Sequence, residues 1–280
     1  MRGSQRTEHE ARLYFPGVLS DAFFRLDGTR FVATEHTRGP WSAEHQHAGP
    51  PSALLARAIE HAIADDQALQ VVRLSVELMA PVPIATLAVT TSVLRTGRTV
   101  RRLDATLVVD GRPIARAAGL AIRTEPVELP PVTLDPHEVP EPPERGTPWQ
   151  FPVFNFDVGY GTAVETRCVR GGYGHNPTTV WIRARVALVD GETPSPLQRV
   201  MIAADSGNGV AVVLDPTRYT FVNADLTVYL HRPPEGEWVC LDAVTAAEPS
   251  GVGLSTSRLF DRRGQIGWGN QALVVTRRRE

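Results

Sequence analysis

The chain has 280 residues, 42% hydrophobic and 21% charged, which is the composition of an ordinary globular protein with a large core. A formal net charge of −2 supplies no general attraction to nucleic acid or to an anionic membrane surface. No stretch approaches the roughly twenty apolar residues that span a bilayer, and the two cysteines, Cys168 and Cys240, make neither a disulfide framework nor a zinc site.

The opening run Met1-Arg2-Gly3-Ser4-Gln5-Arg6-Thr7-Glu8 is polar and lacks the apolar stretch of a signal peptide, so the chain reads as cytoplasmic. A first half is predicted over 12–124. Glu44, His45 and His47 sit in a polar loop with no further ligand set nearby, so no metal and no cofactor are expected. Gly49-Pro50-Pro51-Ser52 then starts a helix with proline in its first turn, and Leu55, Ile59 and Ile63 recur on one face. Strands are predicted over 71–80, 85–94, 100–109 and 113–123, with Thr96-Gly97 and Asp110-Gly111 as turns.

A stiff linker is predicted over 125–148, where Pro126, Pro130, Pro131, Pro136, Pro140, Pro142 and Pro143 deny the backbone its ladder donors. The second half, 149–280, repeats the order of the first. It has a strand at 180–189, a helix opened by the capping box Ser195-Pro196-Leu197-Gln198, and strands over 221–230, 237–246, 253–260 and 265–276. Gly171-Gly172-Tyr173-Gly174-His175 reads as a loop, and Arg277-Arg278-Arg279 as a solvated end rather than a coenzyme-phosphate contact.

Residues 74–81 lie on 226–233 without a gap, and Asp110-Gly111 falls on Arg263-Gly264 after one residue of slippage. The fold class is therefore α+β, with each half a long helix packed on an antiparallel sheet and the two sheets joined at their edges.

Three segments of the second half carry a resemblance: Ala204-Asp205-Ser206-Gly207-Asn208-Gly209, the run from Asn223 to Pro233, and Trp268-Gly269-Asn270-Gln271-Ala272-Leu273. The first half adds Gly39-Pro40-Trp41, His47-Ala48-Gly49-Pro50 and Pro81-Val82-Pro83. Together they resemble the bacterial acyl-CoA thioesterase II family and its actinobacterial relatives. That resemblance implies a tandem double hotdog that cleaves an acyl thioester, on coenzyme A or an acyl carrier, without metal or covalent intermediate. A homo-oligomer is compatible with it. It also implies a site in which Asp205, Asn223 and Gln271 hold a water. Asn223 stands where the best-known members have threonine, and Ala48 where relatives often have a second glycine. The alternative is a non-catalytic acyl-thioester-binding or pathway-partner protein on the same fold.

In that chemistry Asp205 is the general base, Gln271 orients the water, and an amide at a helix start receives the oxyanion. Gly49, Gly207 and Gly209 are the expected substrate-binding positions, where the missing side chain permits close approach. Under the repeat, Asn223 corresponds to Val71 and Gln271 to Ala118, while Asp205 falls near 53–57 or, with a further slip, Glu60. One site in the second half is therefore expected, with the first-half counterpart packed and apolar.

Overall fold

The computed structural model describes residues 21–130, 139–151 and 154–278, so Pro131, Pro136, Arg279 and the polar opening run lie outside the described residues. The first half contains β1 (Ala22–Asp27), β2 (Arg30–Ala33), α1 (Gly49–His61), β3 (Leu69–Leu78), β4 (Thr86–Thr96), β5 (Val100–Val109) and β6 (Arg112–Arg123). In the turn between β5 and β6, Asp110 and Gly111 take φ of 47° and 77°, the twist that a two-residue hairpin requires.

The second half begins with β7 (Thr147–Pro148), α2 (Tyr160–Ala163), β8 (Val164–Arg170), β9 (Thr178–Ala184) and β10 (Ala187–Val189). It continues through α3 (Pro196–Ala204), α4 (Gly207–Val210), β11 (Tyr219–Asn223), β12 (Asp225–Leu230), β13 (Val239–Ala247), β14 (Val252–Asp261) and β15 (Gly264–Arg277). The end of the proline-rich segment is tied to this half: Thr147 pairs with Cys168, and Trp181 Nε1 donates to Glu141 O at 2.7 Å.

Two strands expected to be continuous are broken. The run 180–189 divides into β9 and β10, because β9 pairs with β8 and β13 whereas β10 pairs in parallel with β1. The run 221–230 breaks at Ala224, whose N–H goes to Ala272 O at 2.9 Å while its carbonyl accepts from Leu78 N at 2.9 Å. Strands β1, β2 and β8 gave no sequence signal. In β8 the run Val-Glu-Thr-Arg-Cys-Val-Arg is half charged, because Glu165 and Arg167 pair with each other on its open face.

All strands belong to one sheet in the order β10-β1-β2-β4-β5-β6-β3-β12-β15-β14-β13-β9-β8-β7, with β11 also on β15. The halves meet where β3 runs antiparallel to β12, with Leu74 opposite Val228, Ser75 opposite Thr227 and Val76 opposite Leu226. Ser75 and Thr227 are the same repeat position, so a local two-fold passes between them and exchanges the flanking pairs.

Strands β9 and β10 lie near opposite ends of the strand order, yet Ala184 and Ala187 are three residues apart. Three residues reach about 11 Å, so the sheet must curl until its ends almost meet. Helix α1 lies against β4, β5 and β6, and α3 against β9, β12 and β13. The first turns of α1 are buried nearly all round, through Ala53, Leu54, Leu55 and Ala56, rather than along one stripe. Gly119 of β6 lets Ile59 approach: a Cβ there would stand 2.9 Å from Ile59 Cγ2.

Candidate active site

Helix α3 opens on the predicted capping box, in which Gln198 N donates to Ser195 Oγ at 3.1 Å and Ser195 N to Gln198 Oε1 at 3.3 Å. It ends at Asp205, where the chain turns through Ser206 before the short α4. The helix terminus thus delivers a carboxylate into the interior, where Asp205 is 3% exposed.

A buried carboxylate needs donors to replace its water, and the structure supplies them from three elements. Asn223, last in β11, donates through Nδ2 to Asp205 Oδ1 at 2.8 Å. Gln271, in the middle of β15, donates through Nε2 to the same Oδ1 at 3.3 Å and to the Asp205 backbone carbonyl at 3.0 Å. Its Oε1 accepts from Asn208 N at 3.1 Å, so the Gln271 amide ties β15 to both ends of the Asp205 turn. All three residues expected from the sequence therefore meet.

The third contact comes from the loop ahead of α1, through a residue that sequence reasoning weighed only as a metal ligand. His47 Nδ1 lies 3.1 Å from Asp205 Oδ2, with the side chain 10% exposed. The imidazole stacks on Tyr160, ring centres 3.7 Å apart and planes 4° from parallel. The Tyr160 hydroxyl donates to Ile202 O at 2.8 Å and accepts from Ser206 at 2.8 Å. Burial lowers the His47 pKa, opposed by the charge of Asp205, and pushes the Tyr160 phenol up, so both rings are neutral near pH 7. The signal in the sequence was the Pro50-Pro51 pair. Neither proline has an N–H, so Gly49 N is the one donor of that first turn, and it lies 3.1 Å from His47 Nδ1.

The predicted glycines divide into two kinds. A Cβ on Gly49 would stand 2.5 Å from Ile202 O, and one on Gly207 2.8 Å from Ser257 Oγ and 2.9 Å from Gln271 Oε1. Both mark close approach of protein to protein. Gly209 faces open space: a Cβ would meet only the Phe151 ring at 3.4 Å, and the residue lines a cavity.

That cavity holds about 680 Å³ and is walled by Trp41, Met79, Phe151 and Phe154, with Asp205, Asn223 and His47 among its polar groups. Gln271 lies behind Asp205, off the cavity wall, so it grips the carboxylate instead of facing the space directly. Arg278 lies over the Trp41 ring at 5.8 Å, beside this cavity rather than away from the protein.

The first-half counterpart is not packed, contrary to expectation. A second cavity of about 660 Å³ lies at the other end of the helix pair, lined by Glu60, Val71, Ser195 and Gln198 among others. Glu60 accepts from Ser195 Oγ at 2.7 Å and from Gln198 Nε2 at 2.7 Å, and its pKa is raised by burial against those bonds. The chemistry differs all the same. Val71 and Ala118 replace the two amides, and the first residue of α3 is Pro196, which offers no N–H where α1 has Gly49.

Comparison with known proteins agrees with this geometry. Residues 37–122 match the family model for the acyl-CoA thioesterase N-terminal domain, and 135–275 the model for the C-terminal domain. Among solved structures, the fold is similar to a protein assigned as a thioesterase II from Thermobifida fusca, with 20% identity, TM-score 0.70, and 92% of this chain and 96% of that one covered. It is also similar to one assigned as a thioesterase from Novosphingobium aromaticivorans, with 20% identity, TM-score 0.71, and 93% and 99% covered. A hot dog fold protein of unknown function from Alicyclobacillus acidocaldarius matches at 18% identity and TM-score 0.68, with 93% and 98% covered. No curated protein matches. With both of its halves matched by that family's two domain models on a hot dog fold, the chain belongs to the acyl-CoA thioesterase family and is a thioesterase enzyme.

Proposed function

We propose that the chain hydrolyses an acyl thioester, carried on coenzyme A or an acyl carrier, by a water that Asp205, Asn223 and Gln271 position in the second half of a tandem double hotdog. The observation that carries this reading is the donor set around Asp205. A carboxylate offers about four acceptor positions. Asn223 and Gln271 occupy two on Oδ1, and His47 faces a third on Oδ2. The position left is on Oδ2, at the wall of an apolar cavity suited to an acyl chain.

Water bound there donates one proton to Asp205 and is oriented by the Asn223 carbonyl oxygen, whose amide nitrogen is already committed to the carboxylate. Its oxygen attacks the thioester carbon as Asp205 takes the proton, and the Gly49 N–H receives the developing oxyanion. Collapse breaks the C–S bond, and the proton passes from Asp205 to the leaving thiolate. Gln271 acts through the carboxylate by fixing its plane. The halves divide as 12–124 and 149–280 across the 125–148 linker. The guanidinium of Arg278 beside Trp41 fits a phosphate-bearing carrier.

The test is thiol release across a panel of acyl-CoA esters of different chain length, with Asp205→Asn as control. Turnover is expected for at least one ester, falling about 10²-fold or more in the variant with its fold retained. Saturable acyl-CoA binding without thiol release would replace this reading with that of an acyl-binding protein.

A further inference from the structure

His47 touches two groups that the proposed hydrolysis needs at the same moment. Its Nδ1 lies 3.1 Å from Asp205 Oδ2 and 3.1 Å from the amide nitrogen of Gly49. One ring nitrogen carries either a proton or a lone pair, so it cannot donate to the carboxylate and accept from the amide together. We propose that His47 is a positioning residue whose Nδ1 proton readies base and oxyanion donor in one step: bonded to the Asp205 carboxylate, it leaves the Gly49 N–H to the thioester oxygen. The proposal rests on the hydrolytic reading above.

The surroundings leave the ring few other states. Tyr160 covers one face of the imidazole in a parallel stack, and Phe154 lies 6.1 Å away centre to centre. The titratable groups facing the ring are Asp205 from the end of α3 and Tyr160 from α2, and the Tyr160 phenol is held neutral by burial. Burial likewise keeps the imidazole uncharged, so the choice lies between its two tautomers.

With Asp205 ionised, a lone pair on Nδ1 facing Oδ2 would repel it, and the Nδ1–H tautomer wins. Oδ1 is already engaged by the amides of Asn223 and Gln271, so Oδ2 is the oxygen that takes the Nδ1 proton. In the opposite tautomer the Nδ1 lone pair would accept from Gly49 N–H and occupy the oxyanion donor. No neighbouring amide can substitute, because Pro50 and Pro51 follow.

Two variants separate this role from packing. His47→Phe keeps a ring against Tyr160 and removes both nitrogens, whereas His47→Asn places an amide N–H near the position of Nδ1. His47→Phe is expected to lower kcat on the best acyl-CoA ester by about 10- to 100-fold with KM little changed. The acid limb of its kcat/KM profile should move to higher pH, because the carboxylate has lost a donor. His47→Asn should recover most of kcat and return the acid limb toward its wild-type position. Wild-type kcat and an unmoved acid limb in His47→Phe would overturn the proposal, as would equal losses in both variants with no change in the pH profile.

The second measurement needs no substrate and no variant. Nitrogen-15 NMR of the wild-type imidazole should show His47 protonated on Nδ1 near neutral pH. An Nε2–H tautomer there would refute the proposal. Wild-type protein that hydrolyses no acyl-CoA, or Asp205→Asn with full turnover, would instead remove the hydrolytic reading, and the NMR result would still decide the role of His47.

Discussion

His47 couples the protonation of the site to the stability of the fold. Its pKa is lowered from 6.5 in the folded chain, chiefly by burial. The unfolded chain binds a proton near that ordinary value and the folded chain does not. Its contribution is therefore fully present above about pH 6.5 and is lost as pH falls toward the folded-state value. His61 is shifted in the same direction by burial and the Arg57 charge, so the His47 share is the difference between wild type and His47→Phe. Urea midpoints at about pH 7.5 and about pH 5.5 should differ less in that variant than in wild type. Gly49 gives a second prediction. A Cβ would stand 2.5 Å from Ile202 O, and neither backbone can yield without moving α1 from α3. Gly49→Ala should cost about 1–3 kcal/mol in urea unfolding, the usual cost of overpacking. Asp205, Asn223 and Gln271 were legible because three separate segments resemble one family in order and spacing. His47 was not, because a histidine in a polar loop gives no sign of the ring that will stack on it from 113 residues further on, at Tyr160.

The two central helices are pinned at both ends. The last turn of α1 reaches the first turn of α3 through Glu60, and Arg57 binds Glu192 at 2.6 Å in the loop ahead of α3. At the other end Gly49 packs on Ile202 O. Glu60→Ala would leave the Ser195 hydroxyl and the Gln198 amide short of an acceptor. It should cost about 1–3 kcal/mol in chemical denaturation. Glu60→Gln should cost less, since it retains one acceptor oxygen and buries no charge. Local chemistry made these elements readable: a capping box fixes the start of α3, and Asp110-Gly111 fixes the turn that sets the end of β5. The divisions of β9 from β10 and of β11 from β12 were not readable, because each break occurs where the chain exchanges one sheet neighbour for another. Such an exchange is a property of distant segments and leaves the local alternation intact.

The seam between β3 and β12 makes the folding of each half depend on the other. Leu74 and Val228 are opposite each other and fully buried. Leu74→Ala should cost about 2–5 kcal/mol and weaken both halves at once. Tryptophan emission reports mainly on the second half, which holds four of the five tryptophans, whereas far-UV circular dichroism reports on the whole sheet. Coincident urea transitions by the two probes are expected, and separated ones would show that the halves unfold independently. The repeat in the sequence foretold this seam. It could not foretell that the sheet curls back toward its own start, since that follows from the parallel pairing of β1 with β10. Curling has a consequence for self-association. A strand edge with open backbone groups is a template for further strands, and here the strand order ends in β7, two residues long and closed by Pro148, and in β10, three residues long. Among the described residues these two ends therefore offer little length on which cross-β growth could start, and the longer open edge is that of β4, which pairs with β2 only at Thr86 and Leu87. The parallel join of β1 to β10 holds through only a few backbone bonds, such as Ala187 N to Asp21 O at 3.0 Å and Asp190 N to Phe24 O at 2.9 Å. Heat or acid that parts this join first would uncover the apolar run Ala22-Phe23-Phe24, and aggregation should begin there rather than at the ends of the native sheet.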